Sequence, residues 1–154
     1  VGVLGWDAAC TRIVTWVLLE DLKTKERFYF FNTHFDHIGK IAQKNSADLL
    51  VQKAVQKATY YPVIITGDFN STPTSEAYMT MTKSFTDSKT ISPNIKGDSY
   101  TYQGFKKVPI EQYCLIDYIF VTSSIKIKSY KTVCPEENGV LLSDHNLVVV
   151  EMEF

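Results

Sequence analysis

The sequence predicts an α/β fold in which one mixed, mostly antiparallel six-stranded sheet carries helices on one face. Two observations support this prediction. Apolar runs rich in β-branched and aromatic residues recur along the chain and are typical of strands. Between the second and third runs the apolar spacing changes to three and four residues, which is typical of a helix. The predicted strands cover residues 12–20, 27–35, 63–66, 115–121, 125–133 and 147–154.

The first half of the chain is interpreted as a hairpin followed by a crossover. Residues 1–11 show no clear period and are interpreted as a loop. The polar turn at 21–26 is short, so we expect the first two strands to pair as an antiparallel hairpin. A helix over 42–58 then separates strands 27–35 and 63–66, and this spacing has the length of a βαβ crossover. We therefore expect those two strands to lie parallel.

The second half contains a shorter helix and a long loop. Thr72 and Pro73 fit a helix cap and a first-turn proline, which predicts a helix to about Lys83. Residues 84–112 are polar and contain prolines and glycines, so we interpret them as a surface loop, with a short strand at 100–102 as an option. A loop of this length in a compact domain is often functional.

Several predicted strands are apolar on both faces and must be covered on both sides. The two predicted helices can cover one face, and little of the 154-residue chain is left to cover the other. We therefore expect a missing segment, a second copy or a partner to pack on the second face. In the first strand the two faces carry Val14, Trp16 and Leu18 on one side and Ile13, Val17 and Leu19 on the other.

The composition sets broad limits on the class of protein. A formal net charge of −1 gives no sign of bulk nucleic-acid binding, although it is compatible with a local basic groove. No apolar run is long enough to cross a membrane. The chain begins with valine and without a signal-peptide pattern, so we expect a fragment or a processed product. The widely spaced cysteines predict buried free thiols rather than a disulfide framework or a zinc site; they are Cys10, Cys114 and Cys134.

Polar residues interrupt four of the strands or their ends. Asp117 lies between apolar neighbours, where an unpaired carboxylate would cost about 3–5 kcal/mol. It therefore needs a partner, and a histidine is the natural one. Each cluster alone also fits a structural role, as a polar turn or a hydrogen-bonded histidine, but their joint occurrence favours a functional site. The clusters are Asn32-Thr33-His34 (with Asp36 and His37 just after), Gly67-Asp68-Phe69-Asn70, Asp117, and Ser143-Asp144-His145.

These residue types suit the hydrolysis of a phosphate ester. Magnesium takes carboxylate and amide oxygens, which Asp144, Asp68 and Asn70 supply. A carboxylate or a histidine can accept the proton of the attacking water. Histidines and Asn70 can donate hydrogen bonds to the phosphoryl oxygens as negative charge develops there.

In order and spacing, the motifs NTH at 32–34, GDFN at 67–70, IDYIFV at 116–121 and SDH at 143–145 resemble the endonuclease/exonuclease/phosphatase superfamily, a DNase I-like group. GWD near the start, NTHFDH and TYQGF look most like its bacterial hydrolase members. The family's fold is a four-layer α/β/β/α sandwich. The resemblance therefore implies that residues 1–154 are the C-terminal portion of one such domain, half of the sandwich, with the N-terminal portion absent from the chain.

The resemblance also implies roles for individual residues. The metal ion would be Mg²⁺ or Mn²⁺, bound by Asp144, Asp68 and Asn70. Asp68 would also orient or deprotonate the water, or assist the leaving group. His145, paired with Asp117, would act as base or transition-state stabiliser, and His34 would contact the phosphate. The catalytic set implied by the resemblance is His34, Asp68, Asn70, Asp117 and His145.

The sequence departs from the family's pattern in two respects. An early asparagine and a metal-binding glutamate of the family's first half are not found, and Glu20 and Glu26 lie at the hairpin and cannot replace that glutamate. Gln43 stands where close relatives usually carry an arginine, which puts a local salt bridge in doubt. We therefore expect a metal-dependent phosphoesterase that activates water for attack, incomplete and weakly active as this chain alone.

Other functions stay open at this point. One alternative is a catalytically inactive scaffold or binding module of the same fold. A calcineurin-like metallophosphatase would require GDxxD and GNH motifs, which the sequence lacks. The substrate could be a nucleic acid, a phospholipid or a sugar phosphate. Tyr100, Tyr102 and Phe105 could stack on it, or could simply pack within the loop.

Overall fold

The computed structural model describes residues 3–154; Val1 and Gly2, which belong to the predicted loop 1–11, lie outside the described residues. The helices are α1 (Lys40–Ala58), α2 (Glu76–Thr82) and α3 (Ser88–Ile91). The longer strands are β1 (Val14–Glu20), β2 (Arg27–His34), β3 (Val63–Asp68), β6 (Asp117–Val121), β7 (Lys126–Val133) and β10 (Leu147–Glu153). Two-residue strands are β4 (Thr86–Asp87), β5 (Ile95–Lys96), β8 (Glu136–Glu137) and β9 (Val140–Leu141).

A five-stranded sheet with the order β1-β2-β3-β6-β4 forms the centre of the fold. β1 and β2 pair as the predicted antiparallel hairpin, and β2 and β3 lie parallel with α1 as the crossover. The other pairs in this sheet are antiparallel. The predicted α/β class and the mostly antiparallel sheet are therefore confirmed.

The prediction that all long strands share one sheet is wrong. β7 and β10 pair with each other and, through β7, with β5 in a separate three-stranded sheet. The chain turns after β6, where the Ile125 amide donates to the Thr122 carbonyl, and β7 then crosses over the first sheet. Apolar side chains on the facing surfaces drive this arrangement, because Ile64 and Val121 pack with Ile127 and Val150 between the sheets.

The helices cover the opposite face of the five-stranded sheet, as predicted. Phe31, Ile65 and Phe120 from three neighbouring strands are fully buried there. The buried face of α1 includes Ala47, Leu50 and Ala54, members of the predicted apolar stripe, whereas Val55 is exposed. The described residues thus form three layers, with helices on one sheet and the second sheet on its other face.

The second sheet changes the expected location of uncovered apolar surface. It covers the part of the five-stranded sheet near β3 and β6, on the face opposite the helices. This chain therefore supplies much of the covering layer that we expected a missing segment, a second copy or a partner to provide. The edge strand β1 stays open on both faces, with exposed side chains at each position from Val14 to Glu20. On β10, Leu147 and Val149 point away from the first sheet and are exposed.

Two local predictions in the second half need correction. Helix α2 begins after Ser75, whose side chain accepts a hydrogen bond from the Tyr78 amide, and not at Thr72 and Pro73. Residues 84–112 contain β4, α3, β5 and two 3-10 turns instead of one continuous loop. In the described part of the chain, no helix combines the length and hydropathy that crossing a bilayer requires.

Candidate active site

Three polar side chains lie in one row across three adjacent strands. In the ladder between β2 and β3, His34 is opposite Asp68, and in the ladder between β3 and β6, Asp68 is opposite Asp117. Residues opposite each other in neighbouring strands project to the same face and have Cβ atoms about 4.5–5.5 Å apart. The strand register therefore gathers groups that are far apart in the sequence.

A close approach of two backbones fixes this row. A Cβ atom added at Gly67 would lie 2.1 Å from the carbonyl oxygen of Thr33, which is the residue opposite it in β2. Gly67 also has a φ of +157°. Glycine is required at this point because any side chain would push β3 away from β2 immediately before Asp68.

His145 reaches the row from the segment before β10. A single bridge joins it to Tyr102, and the amide of the next residue, Asn146, donates to the Thr101 carbonyl. Nδ1 of His145 lies 2.8 Å from Oδ2 of Asp117. The carboxylate of Asp117 thus has the histidine partner that its position in an apolar strand requires.

Asp68 lies between two imidazoles. Its Oδ2 is 3.2 Å from Nε2 of His34 and 3.9 Å from Nε2 of His145. Its Oδ1 accepts a hydrogen bond of 2.8 Å from the amide of Asn70. The carboxylate, the two histidines and the asparagine predicted for the site are therefore in one cluster.

The surroundings of His145 and Asp68 shift their pKa values upward. The hydrogen bond to Asp117 raises the pKa of His145 above 6.5; burial opposes this, and the negative charges of Asp117, Asp68 and Asp144 add to it. Burial raises the pKa of Asp68, against its hydrogen bond from Asn70 and the attraction of both histidines, and the charge of Asp117 raises it further. A proton can therefore be held at this cluster at a higher pH than at isolated side chains.

The loop that follows Asp68 is held in place by its own hydrogen bonds. Asn70 adopts a left-handed backbone conformation, with a φ of +46°. Its side-chain amide donates to the Phe35 carbonyl at 3.0 Å, which ties the end of β3 to the end of β2. Asparagine tolerates this backbone region better than most residues, which explains its place in the GDFN motif.

Gln43 of α1 packs beneath this loop and is only 1% exposed. Its Nε2 donates to the carbonyls of Asp36 at 2.7 Å and Asn70 at 3.0 Å. Its Oε1 accepts from the Ser71 hydroxyl at 3.2 Å and from Nζ of Lys40 at 3.1 Å. The family resemblance implied only that Gln43 replaces an arginine of close relatives, and the sequence gave no sign that this glutamine would satisfy four partners.

A cavity of about 480 Å³ opens over the cluster. Four residues that the sequence predicted for the site line this cavity: His34, Asp68, Asn70 and His145. His37 and Tyr102, which the sequence also singled out, line it too. The sequence gave no sign of the other lining residues, because a single arginine, threonine, cysteine or isoleucine carries no recognisable local pattern. These additional residues are Arg12, Thr72, Cys114 and Ile116.

The remaining predictions for this region have mixed outcomes. Tyr102 lines the cavity with its ring 5.2 Å from that of His145, whereas Tyr100 packs against Tyr113. Asp144 is not among the lining residues; its carbonyl accepts hydrogen bonds from Gln103 and Gly104. All three cysteines are free, but the expectation of buried thiols is wrong: Cys10 is exposed, and Cys114 and Cys134 are half-buried.

The cluster has the donor types of a divalent-metal site. Ligating atoms of Asp68, Asp117 and His145 all lie within 4.8 Å of one another. Magnesium and manganese prefer oxygen ligands, and magnesium is commonly held by one or two carboxylates plus substrate phosphate. Asp68 fits such a site and Asn70 lines the same cavity, whereas one oxygen of Asp117 is already engaged with His145.

Comparisons with known proteins show which family model and which solved structures this chain resembles. A model described as the endonuclease/exonuclease/phosphatase family matches residues 7–145. The endonuclease/exonuclease/phosphatase from Bacteroides vulgatus is 39% identical, with a TM-score of 0.89, covering 98% of this chain and 59% of that chain. The mannosyl-6-phosphatase of Bacteroides thetaiotaomicron is 32% identical, with a TM-score of 0.85, covering 97% of this chain and 60% of that chain.

A more distant structure shares the fold alone. TDP2 of D. rerio, complexed with single-strand DNA product, is 14% identical with a TM-score of 0.76, and the match covers 96% of this chain and 64% of that chain. The chain thus spans less than two thirds of the length of each of these three proteins. A comparison with curated protein sequences gave no match.

We predict that Gln43→Leu lowers the free energy of unfolding by about 2–4 kcal/mol, because it leaves buried carbonyl and hydroxyl groups without partners. Gln52→Leu is the matched control, since Gln52 is exposed on the same helix; its effect should stay within about 0.5 kcal/mol. Urea denaturation measures both values. Equal stability of the two variants would show that Gln43 does not hold the loop.

Proposed function

Because the chain belongs to the endonuclease/exonuclease/phosphatase family, we propose that it is the C-terminal portion of a metal-dependent phosphoesterase. The reaction is hydrolysis of a phosphodiester or phosphomonoester by water. The single observation that carries this proposal is the position of Asp68 between His34 and His145, with Asp117 behind His145. This cluster combines a proton acceptor with proton donors at the floor of a cavity.

Each side chain of the cluster has a role that follows from its contacts. Asp68 accepts a proton from the attacking water, or positions that water, since its carboxylate faces the cavity. Asp117 fixes the tautomer of His145 and favours its charged form, so that Nε2 donates to the phosphoryl group or the leaving oxygen. His34, half-exposed at the same cavity, contacts the phosphate.

Asp68, Asn70 and Asp144 would hold Mg²⁺ or Mn²⁺. When bound, the ion supplies a positive charge that polarises the phosphoryl group and favours the loss of a proton from water. Hydrogen bonds within the chain hold Asp68 and Asn70 in place. Asn70 donates to Asp68 and to the Phe35 carbonyl, and Gln43 donates to the Asn70 carbonyl.

The alternative of an inactive scaffold is less well supported. The half-buried carboxylates of Asp68 and Asp117 repel each other, and this repulsion is a cost that brings no benefit to a binding module. The class of ester stays open between nucleic acid, phospholipid and sugar phosphate. The 32% identity to a mannosyl-6-phosphatase supports including sugar phosphates in the first screen.

We predict that Asp68→Ala and His145→Ala each lower the hydrolysis rate by about 100-fold or more, because each removes a group that handles a proton in the transition state. The assay uses the complete polypeptide with Mg²⁺ or Mn²⁺, on p-nitrophenyl phosphate and bis-p-nitrophenyl phosphate. A chelator should abolish activity. Asp21→Asn, in the exposed β1–β2 turn, is the control and should keep the wild-type rate. Wild-type rates in both site variants would refute the assignment.

We further propose that the rest of the domain packs against the open strand β1. An exposed edge strand with apolar side chains on both faces is a template for pairing and burial. Trp16 and Leu18 on one face and Val17 and Leu19 on the other are each more than two-fifths exposed. Relatives in which this chain covers about three fifths of the length have further sequence to supply that cover.

In isolation, the chain should therefore associate with itself through this surface, which sedimentation velocity can measure. Trp16→Glu should weaken the association because it places a charge within the surface. Val55→Glu changes an exposed valine on α1 and serves as the matched control. A monodisperse monomer of the unmodified chain would contradict the proposal. Association that Val55→Glu weakens equally would show that another surface is responsible.

A further inference from the structure

Arg12 lies at the candidate active site with a polar group that lacks a partner. Its side chain lines the same cavity as His34, Asp68 and His145. Its Nε is buried and forms no hydrogen bond within residues 3–154. A buried N–H without an acceptor is costly, and more so when the group is charged. An acceptor that enters the cavity would satisfy this N–H.

The chain around Arg12 is fastened from both sides. Before it, the amides of Ala9 and Cys10 each donate to Oδ2 of Asp36 at 2.8 Å. After it, the Ile13 carbonyl accepts from the Thr33 hydroxyl at 3.2 Å. Arg12 is thus held beside the ends of β2 and β3 rather than carried on a free segment, and its position is a built feature of the site.

Asp36, which lines a neighbouring cavity together with Arg12, has no capacity left to accept from it. Asp36 is 2% exposed, and its other oxygen accepts from the amides of Ile38 at 2.8 Å and Gly39 at 2.6 Å. Four backbone donors occupy the lone-pair positions of this carboxylate. Asp36 therefore holds backbone amides in place and is a poor metal ligand, although Cys10 and His37 lie close to it.

The other arginine of the sequence shows what an ordinary surface arginine does. Nε of Arg27 donates to Oε2 of Glu20 at 2.9 Å, at the opposite end of the β1–β2 hairpin. Both side chains of this pair are largely exposed. Arg27 is a matched control for Arg12, because it is the same residue type but its Nε has a partner.

We propose that Arg12 binds phosphate oxygens of the ester substrate in this cavity. The proposal rests on the phosphoesterase function proposed above. A guanidinium presents its donors as a planar fork that matches two oxygens of a phosphate, and it stays charged throughout the working pH range. Arg12 supplies this fixed positive charge beside the histidines, whose charge depends on protonation. Its effect is on the affinity for the phosphate group.

The test compares Arg12→Gln, Arg12→Lys and Arg27→Gln in the complete polypeptide. Orthophosphate serves as the probe, through its inhibition constant against p-nitrophenyl phosphate. Arg12→Gln should weaken orthophosphate inhibition and raise KM by about 10- to 100-fold. Arg12→Lys should lie between, because it keeps the charge and loses the fork. Arg27→Gln should change either value by less than about twofold.

A melting temperature measured for each variant separates phosphate binding from a structural role. If Arg12→Gln and Arg12→Lys lower it while the inhibition constant is unchanged, Arg12 pairs with an acid elsewhere in the polypeptide, and the proposal is overturned. If wild type hydrolyses the ester and Arg12→Gln does so with an unchanged KM and inhibition constant, the proposal fails while the proposed function stands.

Direct binding decides the case in which wild type shows no hydrolysis, which would refute the proposed function. Isothermal titration calorimetry then measures the affinity of wild type and of the same variants for orthophosphate. Binding by wild type that Arg12→Gln weakens by about tenfold or more supports the phosphate site. Equal binding by both proteins, or no binding by wild type, overturns it.

Discussion

Strand β3 pairs with β2 on one side and with β6 on the other, and these two ladders decide where the polar groups of the site lie. A slip of one residue in a ladder turns the side chains of that strand to the opposite face. His34 or Asp117 would then point toward the helices and no longer toward Asp68. The close contact between Gly67 and the Thr33 carbonyl protects this register, so a glycine without a side chain determines the position of the reactive groups.

The same arrangement explains how acids persist on an apolar sheet. Asp117 is stabilised by the imidazole of His145, and Asp68 by two imidazoles and the amide of Asn70. The charges of both carboxylates raise the pKa of His145, and the charge of Asp117 also raises the pKa of Asp68. In the proposed reaction, the substrate phosphate would add further negative charge, and the fixed charge of Arg12 would offset it without competing for the same proton.

Local sequence patterns predicted the hairpin, the crossover to β3 and a functional site that combines residues of the NTH, GDFN, IDYIFV and SDH motifs. They could not predict that β7 and β10 form a second sheet, because strand periodicity does not specify which strands pair. They also gave no sign of Gln43 as a hydrogen-bonding centre or of Arg12 at the cavity. A glutamine in a helix and an arginine before a strand are ordinary residues, and only their burial in the folded chain distinguishes them.

We propose that Asp117 holds His145 in the charged, oriented form that the site uses. An NMR titration of the His145 imidazole in the wild type and in Asp117→Asn tests it most directly, with Asp21→Asn as the control. A pKa raised in the folded state means that the pair stabilises the protein fully below pH 6.5 and that this stability is lost as pH rises through the folded pKa. We predict a pKa above 6.5 in the wild type and a lower value in Asp117→Asn. An unchanged His145 pKa in Asp117→Asn would contradict this role of Asp117.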